Sequence, residues 1–509
     1  MQKNLHRSLI AAAAVLVLSA CGGGGSGGFP MTAAPTQQAT ATTTPLVLNS
    51  EAPVEPIKEV EVTPEQVATK LSGVAATGAP IANGNVTVQC ASGSSVTTTT
   101  DAAGAWTATL TDQAFPCLVS VGGGSLPPRR TLYSIASDAS SVNVTPLTSL
   151  MVASAAKAAP ETIAAGGLDA VSRLLADSQA KVNAMLKASG YTPLTGNAFT
   201  SVFEPKAGDA YDDLIAQLMR SLADEGVTLE QLVTNVAAAG DAGVPVPHTH
   251  VFKTTEIAGL PQLNKATLSI ADSALKMTLG TGANAVGSYV GGGNGNKAIL
   301  QLPGLDGMKL IDFKDMTLDL KGVSGYPIAG YSYVYVNFLV DLNCDGSPLP
   351  ANPTLNDLRV KRRIVIYDPF VTFIQQNPTA ISATEFSKLN FSRATGGWRV
   401  SAGTNLGTGV VMGQGYQGNE TLQGFDFATY PNACIVDAAS GDGGMFRDAA
   451  ADPVCATNGP LAASAPAACG KAHSGAVVVL GDSGTSKSNE WQLKKVRLNV
   501  SNPRNFVFE

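Results

Sequence analysis

Asp341, Asn343 and Asp345 stand at alternate positions ahead of Gly346. Side-chain oxygens at that spacing can converge on one cation while a glycine lets the chain turn sharply beneath it, which is calcium chemistry. The twelfth position of the run is Asn352 rather than a bidentate Glu, and Pro348 and Pro350 crowd the loop. An EF-hand is therefore excluded. The alternatives are a weak calcium site at a strand end or a plain turn that uses Asp and Gly in their usual roles. Tyr331, Tyr333 and Tyr335 alternate along one predicted strand, with Val334, Val336 and Phe338 on the other face. Rings on one face repeat every ~6.6–6.8 Å. Exposed, they would stack on sugar rings as a ligand-binding platform; buried, they would pair across strands or fill a sheet contact. His248 and His250 put two imidazoles on one side of an extended segment, but no third metal ligand is near, and Pro245 and Pro247 mark an exposed linker. Arg359, Lys361 and Arg363 alternate likewise and read as a solvated face.

No catalytic residue is nominated. Gly481-Asp482-Ser483-Gly484 resembles the Gly-Asp-Ser start of one esterase family and the Gly-Asp-Ser-Gly of trypsin-like proteases. The esterase nucleophile opens its domain and needs a downstream His, and no His follows Ser483. No protease-like setting surrounds His248, His250 or His473. A nucleophile without an oriented base is inert, which leaves a hairpin turn after an apolar strand. A polysaccharide hydrolase would need two carboxylates held ~5–10 Å apart, and no motif points to such a pair.

The elements that must position these residues follow from composition and periodicity. The chain has 509 residues, 14% of them charged, with 53 Gly and 29 Pro. That charged share is well below the ~25% of an average soluble protein and suits an exported, turn-rich β protein. A net charge of −6 lacks the basic footprint of a nucleic-acid binder. Lys3 and Arg7 precede an apolar run, Leu9–Leu18, of signal-peptide length and too short to span a bilayer. It ends in Leu18-Ser19-Ala20-Cys21, which resembles the lipobox of bacterial lipoproteins. The resemblance implies cleavage before Cys21 and acylation of its sulfur and amine. Gly22 in place of Asp implies export to the outer membrane. Residues 1–20 are thus the expected signal, and residues 21–69, rich in Gly, Thr, Ala and Pro, the lipidated cysteine with a disordered tether. About 48 residues of such a linker hold a domain roughly 40 Å or more from its anchor.

The expected fold is mainly β with an α insert. It comprises a small β-sandwich over 70–147, a short helical bundle and linker over 148–249, and a larger C-terminal sandwich or jelly roll over 250–509. In the first, Val86–Cys90 and Ala105–Leu110 alternate around the turn Asp101–Gly104. Gly78, Pro80, Val86, Val88, Thr100, Gly104 and Trp106 give it a resemblance to carboxypeptidase-regulatory-like and bacterial Ig-like modules, which implies fold rather than activity. In the second, Leu168 to Leu186, Leu214 to Leu222 and Leu229 to Val236 repeat at helical spacing, with Asp209 and Thr228 as N-caps. The third carries about a dozen alternating runs and a closing segment, Glu490–Leu498, that resembles the last strand of concanavalin-A-like and jelly-roll carbohydrate-binding sandwiches.

Cys21 aside, six cysteines remain, and in an exported protein an even number reads as disulfides. Cys90 and Cys117 flank two strands of the first sandwich and are the expected pair. Cys344, Cys434, Cys455 and Cys469 allow three pairings. Together these readings imply a cell-envelope lipoprotein displaying a tethered binding or adhesion module. Its expected partners are the membrane, through the lipid anchor, and a glycan or an envelope protein. The rivals are a secreted polysaccharide hydrolase and a structural partner of an envelope complex.

Overall fold

The computed structural model describes residues 68–240, 243–263, 265–280, 297–324, 333–345, 362–369, 381–401, 421–438, 474–481 and 488–509. All belong to one compact unit, Glu65–Glu509. Cys21, Tyr331, Cys455, Cys469 and Ser483 lie outside the described residues.

The first strands are β1 (Thr69–Val74), β2 (Asn85–Ser92), β3 (Val96–Thr99), β4 (Ala105–Leu110), β5 (Ala114–Gly122) and β6 (Thr131–Ala136). β1 pairs with β4, and a second sheet has the order β3-β2-β5-β6. Alternation sends Val86, Val88 and Cys90 of β2 and Trp106, Ala108 and Leu110 of β4 inward, so the two sheets close on a shared core. Thr100 is buried, with its hydroxyl donating to the Ile81 carbonyl and accepting from the Gly84 N–H. Gly104 takes φ +77° in the turn before β4, where Asp101 accepts the N–H groups of Ala103 and Ala105. A Cβ at Gly78 would lie 2.8 Å from the Ala216 side chain, so this glycine is what lets the helical segment approach.

Five helices follow: α1 (Pro146–Ala156), α2 (Leu168–Arg173), α3 (Leu175–Ala188), α4 (Ala210–Asp224) and α5 (Leu229–Ala239). Periodicity predicts three or four, and the extra one is α1. Leu147, Leu150, Met151 and Val152 bury it nearly all round, leaving no polar face to produce a helical stripe. It starts at a capping box between Thr145 and Thr148, with Pro146 in the first turn. Asp209 caps α4 and Thr228 caps α5, as expected. Leu174 departs from its predicted core place: between α2 and α3 it is 43% exposed. Sandwich and helices share one continuous hydrophobic cluster, and Asn143 ties them by donating to the carbonyls of Ala198 and Ser201.

The remainder is β7 (His248–Phe252), α6 (Thr254–Ala258), β8 (Gln262–Leu263), β9 (Ala266–Ala271), β10 (Ala274–Leu279), β11 (Lys297–Gln301), β12 (Asp315–Ser324), β13 (Val334–Asp341), β14 (Arg362–Tyr367), β15 (Ser387–Ser392), β16 (Trp398–Ser401), β17 (Cys434–Ile435), β18 (Ala476–Gly481), β19 (Asn489–Asn499) and β20 (Arg504–Phe508). They form two sheets. One runs β15-β12-β19-β10-β9, with β20 also on β19 and β7 on β20; the other runs β16-β14-β13-β18-β11-β8, with β17 on β13. Met277, Leu318, Phe391 and Trp491 of the first meet Val336, Phe338, Tyr367, Trp398 and Val478 of the second in a single core. In β19 the inward residues are Trp491 and Leu493, then Val496 and Leu498, so period two slips by one. The pairing with β12 shifts at the same place, between Asp319 and Leu320, and the bulge absorbs the extra residue.

β7 corrects one expectation. The His248–His250 segment is not an exposed linker but a strand paired in parallel with β20, so it borders the last strand of the chain. The protein is thus mainly β, with several sheets and a small helical insert. Among the described residues, no helix is long and apolar enough to cross a membrane.

Candidate functional site

Of the predicted tyrosine platform, Tyr333 and Tyr335 do not share a face, and Tyr331 lies outside the described residues. Tyr333 precedes β13 and packs, half-buried, against the inter-sheet core, with its ring 6.3 Å from that of Trp491. Tyr335 packs instead on the opposite face of the same sheet, beside Ile299, Leu339 and Val479. The strand begins at Val334, so the period-two parity of the sequence does not extend back through Tyr333. Arg363 is not solvated either. It is buried in β14, and burial pulls its guanidinium below the ordinary value.

The Asp341 loop is a turn. Asp341 Oδ1 accepts the N–H groups of Asn343 and Cys344, each at 2.9 Å, while Oδ2 lies 3.6 Å from Arg362 on the neighbouring strand. Both side chains are buried, and the Arg362 guanidinium faces Asp341. Asn343 and Asp345 are exposed. The turn delivers Cys344, at φ +48°, to Cys434 in β17. Cys90 and Cys117 are bonded as expected, across the β2–β5 pair. A closed loop of about 28 residues contributes roughly 3 kcal/mol on the chain-entropy account, and the longer Cys344 loop somewhat more.

The densest polar chemistry lies where the helical segment meets β7, β19 and β20. Glu225, just past α4, accepts Arg497 Nε and Nη2, both at 2.9 Å, and Asn505 Nδ2 at 2.8 Å. Burial pushes its carboxyl up, but the hydrogen bonds from Arg497 and Asn505 outweigh it and hold the group below the usual carboxylate range. Thr249 donates to Asp224 at 2.7 Å, and Glu509 receives Arg220 at 2.6 Å and Lys253 at 3.0 Å. His248 is buried with its Nε2 3.1 Å from the Gln217 amide and its ring edge-on to Tyr191. Burial, then the charge of Arg504, then His250, lower it to about 4, so the ring is neutral.

Beside this clamp opens a cleft of about 500 Å³. One wall is the end of α3, Lys187 to Gly190. The other comprises the β11–β12 connection, including Asp306, Lys309 and Asp312, and the β19–β20 turn with Ser501 and Asn502. Gly304 and Gly307 take φ +74° and +76° and shape the connection. Arg504 lines the cleft and is 4% exposed. Its Nη1 donates to the Asn502 carbonyl at 3.1 Å and its Nη2 to that of Ala188 at 3.3 Å, while Nε has no partner. Burial lowers its guanidinium to about 10. None of these cleft residues was singled out from sequence. The available signal was parity: Arg504 shares its strand face with Phe506 and Phe508, both in the core. Scanned against protein-family models, curated proteins and solved structures, the chain matches none.

Proposed function

We propose that the chain is a cell-envelope lipoprotein, anchored in the outer membrane through Cys21, that holds a glycan-binding module on its Gly/Thr/Pro tether. The observation that carries the reading is the polar cleft between α3 and the C-terminal sandwich. Its walls come from segments more than a hundred residues apart in the chain, and two of them are tied by Asn502 and Arg504, which both donate to the Ala188 carbonyl at the end of α3. A preformed site avoids part of the ordering cost of binding. Lys187, Asp306, Lys309, Asp312 and Asn502 line the cleft and offer donors and acceptors to sugar hydroxyls. The glycan contact therefore moves from the tyrosines to this cleft.

The test is binding of the full chain to purified envelope polysaccharides. Lys309→Ala and Asp312→Ala should each weaken binding about fivefold, roughly 1 kcal/mol, with the melting temperature unchanged. Absence of binding to any of them, or binding indifferent to both substitutions, overturns the reading. Release of new reducing ends from the bound polysaccharide would replace it with a hydrolase.

A further inference from the structure

Arg504 is a buried cation with no counter-ion among the described residues. A guanidinium carries five N–H donors, and Arg504 uses two of its nitrogens on backbone carbonyls and leaves Nε unpartnered. Among the described residues it forms no ion pair. The carboxylates that share its cleft, Asp306 and Asp312, make no ion pair with it, and Asp306 is occupied in accepting the Asp437 N–H at 3.0 Å. Taking a charge out of water costs several kcal/mol unless an opposite charge and full hydrogen bonding offset it. Gly190, at φ +90°, lies over the guanidinium, where a Cβ would be in van der Waals contact, 3.6 Å from its Cζ, Nε and Nη2. Lys187 and Lys309 stand on the same cleft.

We propose that Arg504 is the anchor of a carboxylate-binding site, and that the ligand of this cleft presents a carboxylate group to it, as an acidic sugar does. The proposal rests on the reading of this cleft as the binding site. The charge balance selects the ligand's charge. Lys187, Lys309 and Arg504 face Asp306 and Asp312, which leaves one positive charge. A carboxylate monoanion neutralises it, whereas the dianionic form of phosphate would overshoot.

The experiment follows the melting temperature of the full chain in detergent against acetate, D-glucuronate, D-glucose and inorganic phosphate at constant ionic strength. Acetate and glucuronate should raise it saturably, by about 1–2 °C at ten times their Kd. Glucose should do nothing, and phosphate less than the carboxylates. Arg504→Gln should abolish the response. Should that variant not fold, the Lys187→Glu/Lys309→Glu pair, on the open side of the cleft, should weaken the response at least tenfold. No carboxylate response, an equal response to phosphate, or a response that survives either variant overturns the proposal. Polysaccharide binding without a carboxylate response sinks this inference and spares the binding-module reading. A carboxylate response without polysaccharide binding does the reverse.

Discussion

Tyr333 and His248 show how the same residue types change meaning with their neighbours. Tyr333 sits against Trp491 rather than on an open face. Tyr333→Ala should therefore cost about 1–3 kcal/mol in a denaturant melt, between a surface change and a full aromatic core truncation. A loss below about 0.5 kcal/mol would return the ring to solvent. His248 is held at about 4 by burial first and by Arg504 and His250 next, against an ordinary value of 6.5. Between those values the unfolded chain binds a proton that the folded chain refuses, so stability falls as pH drops through that window. From pH 6.5 to 5 the loss should be roughly 2 kcal/mol. Glu225, lowered below the usual carboxylate range, loses its contribution at more acid pH, and Asp212, raised by burial, changes stability in the opposite sense, so the comparison with a His248 variant is what separates the imidazole. Urea melts at pH 5 and 6.5 should differ for the parent chain and much less for His248→Gln. Equal slopes in both proteins would remove His248 as the cause.

Among the elements, α4 and the β7–β20 pair do the joining. β7 enters as the first strand after the helices and lies beside β20, so the sheet joins segments far apart in the chain. Glu225 just after α4 reads both β19, through Arg497, and β20, through Asn505. Its side chain is 8% exposed and that of Arg497 31%, so the pair is only partly screened. Glu225→Ala should destabilise by about 2–3 kcal/mol, less than the 3–5 of a fully buried pair because Arg497 can rehydrate. Hydrogen exchange should quicken in β7 and β20 before the core of β12 and β13. Uniform loss of protection across both sheets would show that the clamp is not local.

For the whole molecule, the decisive expectation concerns Cys21. No helix among the described residues can span a bilayer, and the proposed anchor is the acylated cysteine, which holds stably because it carries more than one chain. Cys21→Ser should abolish acylation and free the protein from membranes without altering its melting temperature. Membrane retention of the unacylated variant would require another attachment. Arg504 belongs to this scale as well, because its cleft exists only where α3, the β11–β12 connection and the β19–β20 turn meet.

The sequence by itself determined the class of the fold and about half of its described strands. Ala266–Ile270, Met316–Leu320 and Trp491–Val500 alternate because one face of each is buried, and alternation is a local property that needs no partner to be read; Ala476–Leu480 is apolar throughout because both of its faces are buried. The caps Asp209 and Thr228 were legible for the same reason, since a cap acts within one turn. The α1 helix was not recognised because burial on every side erases the contrast between faces. Which cysteine met Cys344, and which partners Tyr333, His248, Arg363 and Arg504 acquired, depended on strands far apart in the chain. Only the tertiary structure decided these, because burial and pairing across a sheet are set by what lies opposite and not by what comes next. The cleft is the clearest case. Its residues carry no motif, and its chemistry arises where a guanidinium that follows core parity is buried with no carboxylate paired to it among the described residues.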